Sequence, residues 1–273
     1  MQTLHNGKLT RSVSLEDRGW SLGEALFETL LVQQGNPVWL EEHLARLARG
    51  CERLQFDFPE RALRDDIHQL LSESRDDRTV LRLCLSGDSL GVRGYGAVSR
   101  TPHRYCQLAA LAPPVRQYWD EGIRAFVAKT RLPELVELAG IKHSNRLPHV
   151  LARAERKARD FPEGLMLSAS GLVVEGIASN CFIAVNGELK TPLLDRAGVE
   201  GIVRQKVIEV LRTQGVTISE ARLTLSDIEA ADELFFCNSL IGLWPARQLD
   251  CLSFSSFSLC QRVQKELESV WYV

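Results

Sequence analysis

No stretch of the 273 residues is apolar for long enough to span a membrane, and Met1–Thr10 carries no signal-peptide pattern. The expected place is therefore the cytoplasm, with no membrane partner. Neither sign of charge is in surplus: 33 Lys and Arg against 35 Asp and Glu leave a net charge of −2. A protein that grips nucleic acid by neutralising phosphates needs a basic excess, so nucleic acid is not an expected partner. The seven cysteines, at 51, 84, 106, 181, 237, 251 and 260, include no CxxC pair, and an odd number suits a reducing compartment. They read as buried small apolar residues, not as a disulfide frame or a zinc site, and no metal is expected. Internal repeats and low-complexity segments are missing. The glycine-rich loop at 87–96 lacks a GK[ST] and a following helix, so it is not a P-loop.

What is present is ordinary globular composition, 45% hydrophobic and 25% charged, on a chain long enough for two modest domains or one large one. Asn6-Gly7 and Asn186-Gly187 signal tight hairpins. Leu40, Leu44, Leu47, Cys51 and Leu54 recur at helical spacing and predict a helix over 39–54, with His43 and Arg46 on one flank. Further helices are expected at 61–71, 147–159, 202–214 and from Ser258 onward. Strands are expected at 27–32, 79–85, 105–111, 123–129, 164–168, 172–174, 180–185 and 234–237. Ser226 and Glu229 suggest a capping box. Pro113-Pro114 interrupts helix and sheet, and predicts domains at 1–112 and 122–273 joined by 113–121. Strands and helices mix without βαβ repetition, which predicts an α+β (mixed α/β) fold with two sheets, not a doubly wound parallel sheet.

The stretch Gly140-Ile141-Lys142-His143-Ser144-Asn145-Arg146-Leu147 places one lysine in a short turn. A lysine that attacks a carbonyl needs a lowered pKa and a fixed position, which a turn anchored on both sides supplies. The residues alone leave Lys142 open between a reactive amine and a solvated surface lysine. Pyridoxal phosphate would require such an amine, an anion site for its phosphate and an acid beside its ring nitrogen. Glu175 closes an apolar strand, where a carboxylate needs a partner. Gly201-Ile202-Val203 opens a helix whose N–H groups and dipole favour phosphate. Asn238-Ser239 follows a buried strand and offers a hydroxyl. Each also reads, alone, as an ordinary turn, helix start or surface carboxylate.

Taken in order, the motifs resemble those of the fold-type IV pyridoxal-phosphate enzymes, the class of the D-amino-acid and branched-chain aminotransferases. They are Asp17-Arg18-Gly19, Gly23–Thr29, His43–Leu47, Gly140–Leu147, Val174–Phe182, Gly198–Arg204 and Cys237–Ser239, spread over nearly the whole chain. The resemblance implies the two-domain D-amino-acid aminotransferase-like fold and a homodimer. It further implies pyridoxal 5'-phosphate as cofactor, with Lys142 as the Schiff-base lysine and Glu175 on the pyridine nitrogen. Arg46, the N–H groups of Ile202 and Val203, and Ser239 would hold the phosphate. Within the class, the Asn145-Arg146-Leu147 that follows the lysine, the loop at 91–96 and the Phe-Glu-Thr ending at Thr29 are similar to 4-amino-4-deoxychorismate lyases. That likeness implies conversion of aminodeoxychorismate to 4-aminobenzoate and pyruvate, a step of folate biosynthesis, with Thr29 near the substrate and Arg93 on a substrate carboxylate. A transaminase acting on D-amino or branched-chain acids is the alternative. Two motifs depart from the class: Leu22-Gly23-Glu24-Ala25 stands where aromatic-Gly-Asp-Gly is usual, and Ser168 stands where an aspartate is usual.

Overall fold

A computed structural model of the chain describes residues 2–74, 76–91, 94–96 and 99–272. It divides into two compact units, Met1–Pro113 with Ile141–Asn145, and Pro114–Gly140 with Arg146–Val273.

The first unit runs β1 (Gln2–His5), β2 (Lys8–Leu9), α1 (Arg18–Leu22), β3 (Ala25–Gln33), β4 (Asn36–Pro37), α2 (Leu40–Leu54), α3 (Glu60–Ser72), β5 (Arg78–Ser86) and β6 (His103–Ala110). Its six strands form an antiparallel sheet in the order β2-β1-β6-β5-β3-β4. Asn6 and Gly7 both take positive φ and close the first hairpin, because these two residues tolerate the left-handed region. The apolar stripe of α2 buries Leu44, Leu47 and Cys51, and α2 packs on β3 while α3 packs on β6. Beneath them Leu30, Leu81, Leu83 and Leu85 are fully buried.

The second unit runs α4 (Arg116–Asp120), β7 (Ile123–Val127), a 3-10 turn (Val136–Leu138), α5 (Leu147–Ala154), β8 (Glu163–Leu167), β9 (Val173–Gly176), β10 (Asn180–Val185), β11 (Glu188–Pro192), α6 (Ile202–Thr213), β12 (Ile218–Ala221), α7 (Leu225–Glu229), β13 (Glu233–Asn238), β14 (Gly242–Leu249), β15 (Leu252–Ser253) and α8 (Ser258–Trp271). The sheet order is β12-β11-β10-β13-β14-β7-β8-β9, with β15 on β14. Three pairs are parallel, β11 with β12, β14 with β7 and β7 with β8, so the sheet is mixed and the class is α+β. Ile183, Leu234, Phe236 and Ala246 fill the core, and Met166, Phe126 and Ala152 of α5 form a second cluster. Among the described residues no helix is long and apolar enough to cross a membrane.

Several sequence expectations shift. The helix expected to reach Arg159 stops at Ala154, and the carboxylate of Glu155 turns aside to accept from the N–H groups of Lys129 and Thr130. No strand is expected from the sequence at β14, whose burial does not alternate with a period of two. Five cysteines are buried, Cys84 is half-buried and Cys251 is exposed, at the β14–β15 turn. Burial pushes the thiols of Cys51 and Cys237 up to about 12, so they stay protonated and act as packing groups. The capping box sits two residues before the expected Ser226. Thr224 Oγ1 and N–H both donate to Asp227 Oδ2, since the acid three positions after the cap is Asp227, not Glu229. Thr224→Ala is therefore expected to cost about 1 kcal/mol in urea denaturation, and Ser226→Ala close to nothing; equal losses would contradict this placement of the cap.

Candidate active site

In the first unit the segment Ile141–Asn145 lies along the start of β3 as an added edge. Phe27 N–H donates to Lys142 O at 2.9 Å, Ser144 N–H donates to Ala25 O at 2.8 Å, and Leu26 bridges His143 antiparallel. That register sets Lys142 opposite Phe27, with both side chains on one face. The Lys142 amine stands 4.6 Å from the centroid of the Phe27 ring. Thr29 follows two residues later on the same face and is half-buried. Asn145 Nδ2 donates to Gly23 O at 3.3 Å. Gly23 has φ +73°, and a Cβ there would stand 2.2 Å from Asn145 Oδ1, so glycine is required.

The opposite face of β3 carries Glu28, which is fully buried. Arg46 donates from Nε to Glu28 Oε1 at 2.8 Å and from Nη2 to Oε2 at 2.5 Å, and His43 Nδ1 lies 2.6 Å from Oε2. Burial alone would raise the Glu28 pKa. The Arg46 charge and the hydrogen bonds of Arg46 and His43 outweigh it, and hold the carboxyl at about 2. Burial lowers the His43 pKa, Glu28 opposes that, and the charges of Arg46 and Lys142 add to it. His43 thus serves as a neutral Nδ1–H donor. Arg46, expected from the resemblance on a phosphate, has its Nε and Nη2 donors engaged by Glu28.

In the second unit Glu175 lies within β9 and is 4% exposed. Val199 N–H donates to its Oε2 at 2.9 Å, and His149 Nε2 is 3.0 Å from its Oε1, with Arg146 Nη1 at 3.8 Å. Burial works to raise the Glu175 pKa, but the His149 hydrogen bond and the Arg146 charge bring it below the usual carboxylate value. The Val199 carbonyl accepts from Asn180 Nδ2 at 2.8 Å, so the peptide groups on both sides of Val199 are held. Two residues on, Gly201 is the N-cap of α6 and offers no side-chain cap, and a Cβ there would stand 1.9 Å from Asn180 Oδ1. The N–H groups of Ile202 and Val203 therefore head an uncapped, buried helix start. Ser239 lies two residues past Cys237, which pairs with Asn180, and its carbonyl accepts from Trp271 Nε1 at 3.1 Å. Arg93 lies outside the described residues.

Each unit thus gathers part of the expected set: Lys142, Thr29 and Arg46 in the first, and Glu175, Ile202, Val203 and Ser239 in the second. The sequence reading gave no role to Glu28, Arg146, His149, Asn180 or Val199. Only Glu28 left a usable trace, an acid between Phe27 and Thr29 in a strand otherwise apolar. Chemically, the second unit offers an ionised carboxylate joined by a short turn to an uncapped helix start. The first offers an amine on an aromatic face. A phosphorylated heterocycle matches the donors of the second unit. Glu175 accepts two hydrogen bonds and keeps lone pairs for a ring N–H, and the α6 start supplies N–H groups to an anion.

The fold and these residues define a class. Residues 25–249 match the family described as Amino-transferase class IV, and the chain belongs to it. Among its relatives, a 4-amino-4-deoxychorismate lyase from Pseudomonas aeruginosa is 36% identical, and its crystal structure superposes with a TM-score of 0.91 over 98% of each chain. The aminodeoxychorismate lyase of Vibrio harveyi is 30% identical over 97% of this chain and 98% of that one. A putative branched-chain-amino-acid aminotransferase of Methanocaldococcus jannaschii is 31% identical over 92% of this chain and 88% of its own length.

Glu28→Gln leaves the buried Arg46 without its counter-charge and is expected to cost about 3 kcal/mol in urea denaturation. Because the folded pKa of Glu28 lies at about 2, below the ordinary 4.5, its contribution is present above pH 4.5 and fades as the pH falls towards 2. The variant should flatten that acid limb, and an unchanged limb would contradict the pairing.

Proposed function

We propose that this protein is a pyridoxal-phosphate-dependent lyase converting 4-amino-4-deoxychorismate to 4-aminobenzoate and pyruvate. The observation that carries the reading is near-full-length likeness to proteins named as that lyase, at 30% and 36% identity. Lys142 on the Phe27–Thr29 face supports it from the structure. Lys142 would hold the cofactor's aldehyde carbon, and Glu175 its ring nitrogen. The N–H groups of Ile202 and Val203, with Ser239 and Arg46, would hold the phosphate. The same reading carries a homodimer working in the cytoplasm.

Bound there, the cofactor supplies a sink for the electron pair released when a C–H bond of the substrate breaks. Lys142, freed by the substrate amine, takes the proton from the carbon bearing that nitrogen. Thr29, half-buried on the same strand face, orients the substrate beside the amine. The C–O bond to the enolpyruvyl group then breaks, the leaving group gains a proton to become pyruvate, and the six-membered ring becomes aromatic. The two products contain all the atoms of the substrate, so no oxidant and no second amino acceptor is needed. Aromatisation drives the reaction, and the protein mainly positions groups and moves protons. Glu175 stays ionised in its pocket and keeps the ring nitrogen protonated.

Purified protein loaded with pyridoxal phosphate should release 4-aminobenzoate and pyruvate in equal amounts from aminodeoxychorismate. Amino transfer to a keto acid, with neither product formed, would overturn the reading in favour of a transaminase. Lys142→Ala should lower turnover by at least about a thousandfold, as loss of a nucleophile and proton carrier does. Thr29→Ala should lower lyase turnover roughly tenfold, the scale of one lost substrate hydrogen bond, with cofactor affinity unchanged.

A further inference from the structure

We propose that His149 is a positioning residue for Glu175: its Nε2–H donates to Oε1 and fixes the plane of the carboxylate for the cofactor's ring nitrogen. The inference rests on the reading of Glu175 as the partner of that nitrogen. A glutamate carboxyl turns freely about its last torsion unless both oxygens are held. Here Oε2 is held by the Val199 N–H at 2.9 Å and Oε1 by His149 at 3.0 Å. The two donors come from separate elements, the turn before α6 and the first turn of α5, so together they remove the rotation. The remaining lone pairs of the carboxylate are then aimed in one direction.

The proton on Nε2 follows from the contacts. Arg146 Nη1 lies 3.3 Å from the same Nε2. A bare Nε2 would accept from Arg146 but would set its lone pair against that of Oε1 at 3.0 Å. Only a donor at Nε2 makes that approach favourable. The other ring nitrogen, Nδ1, is buried with no hydrogen-bond partner among the described residues. Nε2 is therefore the nitrogen through which the ring reaches Glu175. Arg146, 3.8 Å from Oε1, adds charge but is too long for a hydrogen bond. His149 therefore supplies a side-chain hydrogen bond to Glu175, and no catalytic role above depends on it.

The test compares His149→Gln, which keeps an N–H donor, with His149→Met, of similar length and volume but with none. Each is loaded with pyridoxal phosphate carrying 15N in its ring, and two quantities are read: the cofactor dissociation constant and the ring 15N chemical shift. For His149→Met the expected result is roughly tenfold weaker cofactor binding, as for loss of a hydrogen bond to a charged group, and a 15N shift moved towards the unprotonated ring. His149→Gln should restore both. Wild-type values in both variants would overturn the inference, and so would equal losses in both, which would mark a packing role. Should His149→Met fail to fold, His149→Gln against His149→Leu, an uncharged side chain with no donor, gives the same comparison. Glu175→Gln separates this inference from the reading beneath it. If that variant leaves the 15N shift and the affinity unchanged, Glu175 is not the ring partner and the reading itself fails. If it alone changes them, only the role of His149 falls.

Discussion

A carboxylate with no exposure to water must be met by donors, and in the first unit that requirement governs the arrangement around β3. Glu28 takes two hydrogen bonds from Arg46 and one from His43, all delivered by α2. Sliding α2 along the sheet by one turn, about 5.4 Å, would break every one of them and strand two buried charges. The apolar stripe of Leu44, Leu47 and Cys51 would tolerate such a slip better, because hydrophobic contact is not directional. The ion pair therefore sets the register that the greasy contacts leave loose. Side chains alternate along a strand, so a fixed Glu28 also fixes Phe27 and Thr29 on the other face. The lysine-bearing segment is then laid against Phe27 by backbone hydrogen bonds.

The second unit meets the same constraint with a related device. Glu175, like Glu28, is a strand carboxylate served by one arginine and one histidine placed three residues apart at the face of a helix. The roles are exchanged. Arginine makes the close contacts to Glu28, whereas histidine makes the close contact to Glu175 and arginine stays at 3.8 Å. Glu163 strikes a different balance. It is equally buried and accepts from the N–H groups of Gly164 and Ile177, from Ser179 and from Arg153, yet burial wins and its pKa is raised. Glu175 has fewer hydrogen bonds, yet its pKa is lowered, because His149 and Arg146 outweigh burial there. The direction of each shift is set by the balance of burial against donors and charges, not by the number of donors.

Local rules recovered much of this from the residues alone. The Asn-Gly hairpins, the stripe of α2 and the strand at 180–185 are short-range signals, and the structure contains them. The order of the motifs marked the family, since each stretch carries a backbone requirement of its own, such as the uncapped start of α6. What stayed hidden was long-range. Nothing near Arg46 in sequence announces that its partner is 18 residues upstream on a strand, so its burial was invisible to helical periodicity. The link of His149 to Glu175 spans 26 residues and two elements. The capping box was misplaced for a local reason: two overlapping S/T-x-x-acid patterns exist, and only the fold selects Thr224 with Asp227.

The turn at 198–201 shows why two glycines recur where one small molecule would be held at both ends. Val199 gives its N–H to Glu175 and its C=O to Asn180, and α6 begins three residues later. The carboxylate and the helix start are thereby separated by a rigid span, with no flexible side chain between them. Gly198 has φ +88°, and a Cβ there would approach Leu194 at 2.7 Å and Val174 at 2.8 Å. A side chain at Gly201 would collide with Asn180 and release the Val199 carbonyl. Either change would lengthen or tilt the span, and a Cβ at Gly198 would also press on Glu175 Oε2 at 3.3 Å. An error of about 1 Å in such a spacing is enough to cost an enzyme about a hundredfold. The glycines therefore keep the spacing between Glu175 and the start of α6, although they carry no chemistry of their own.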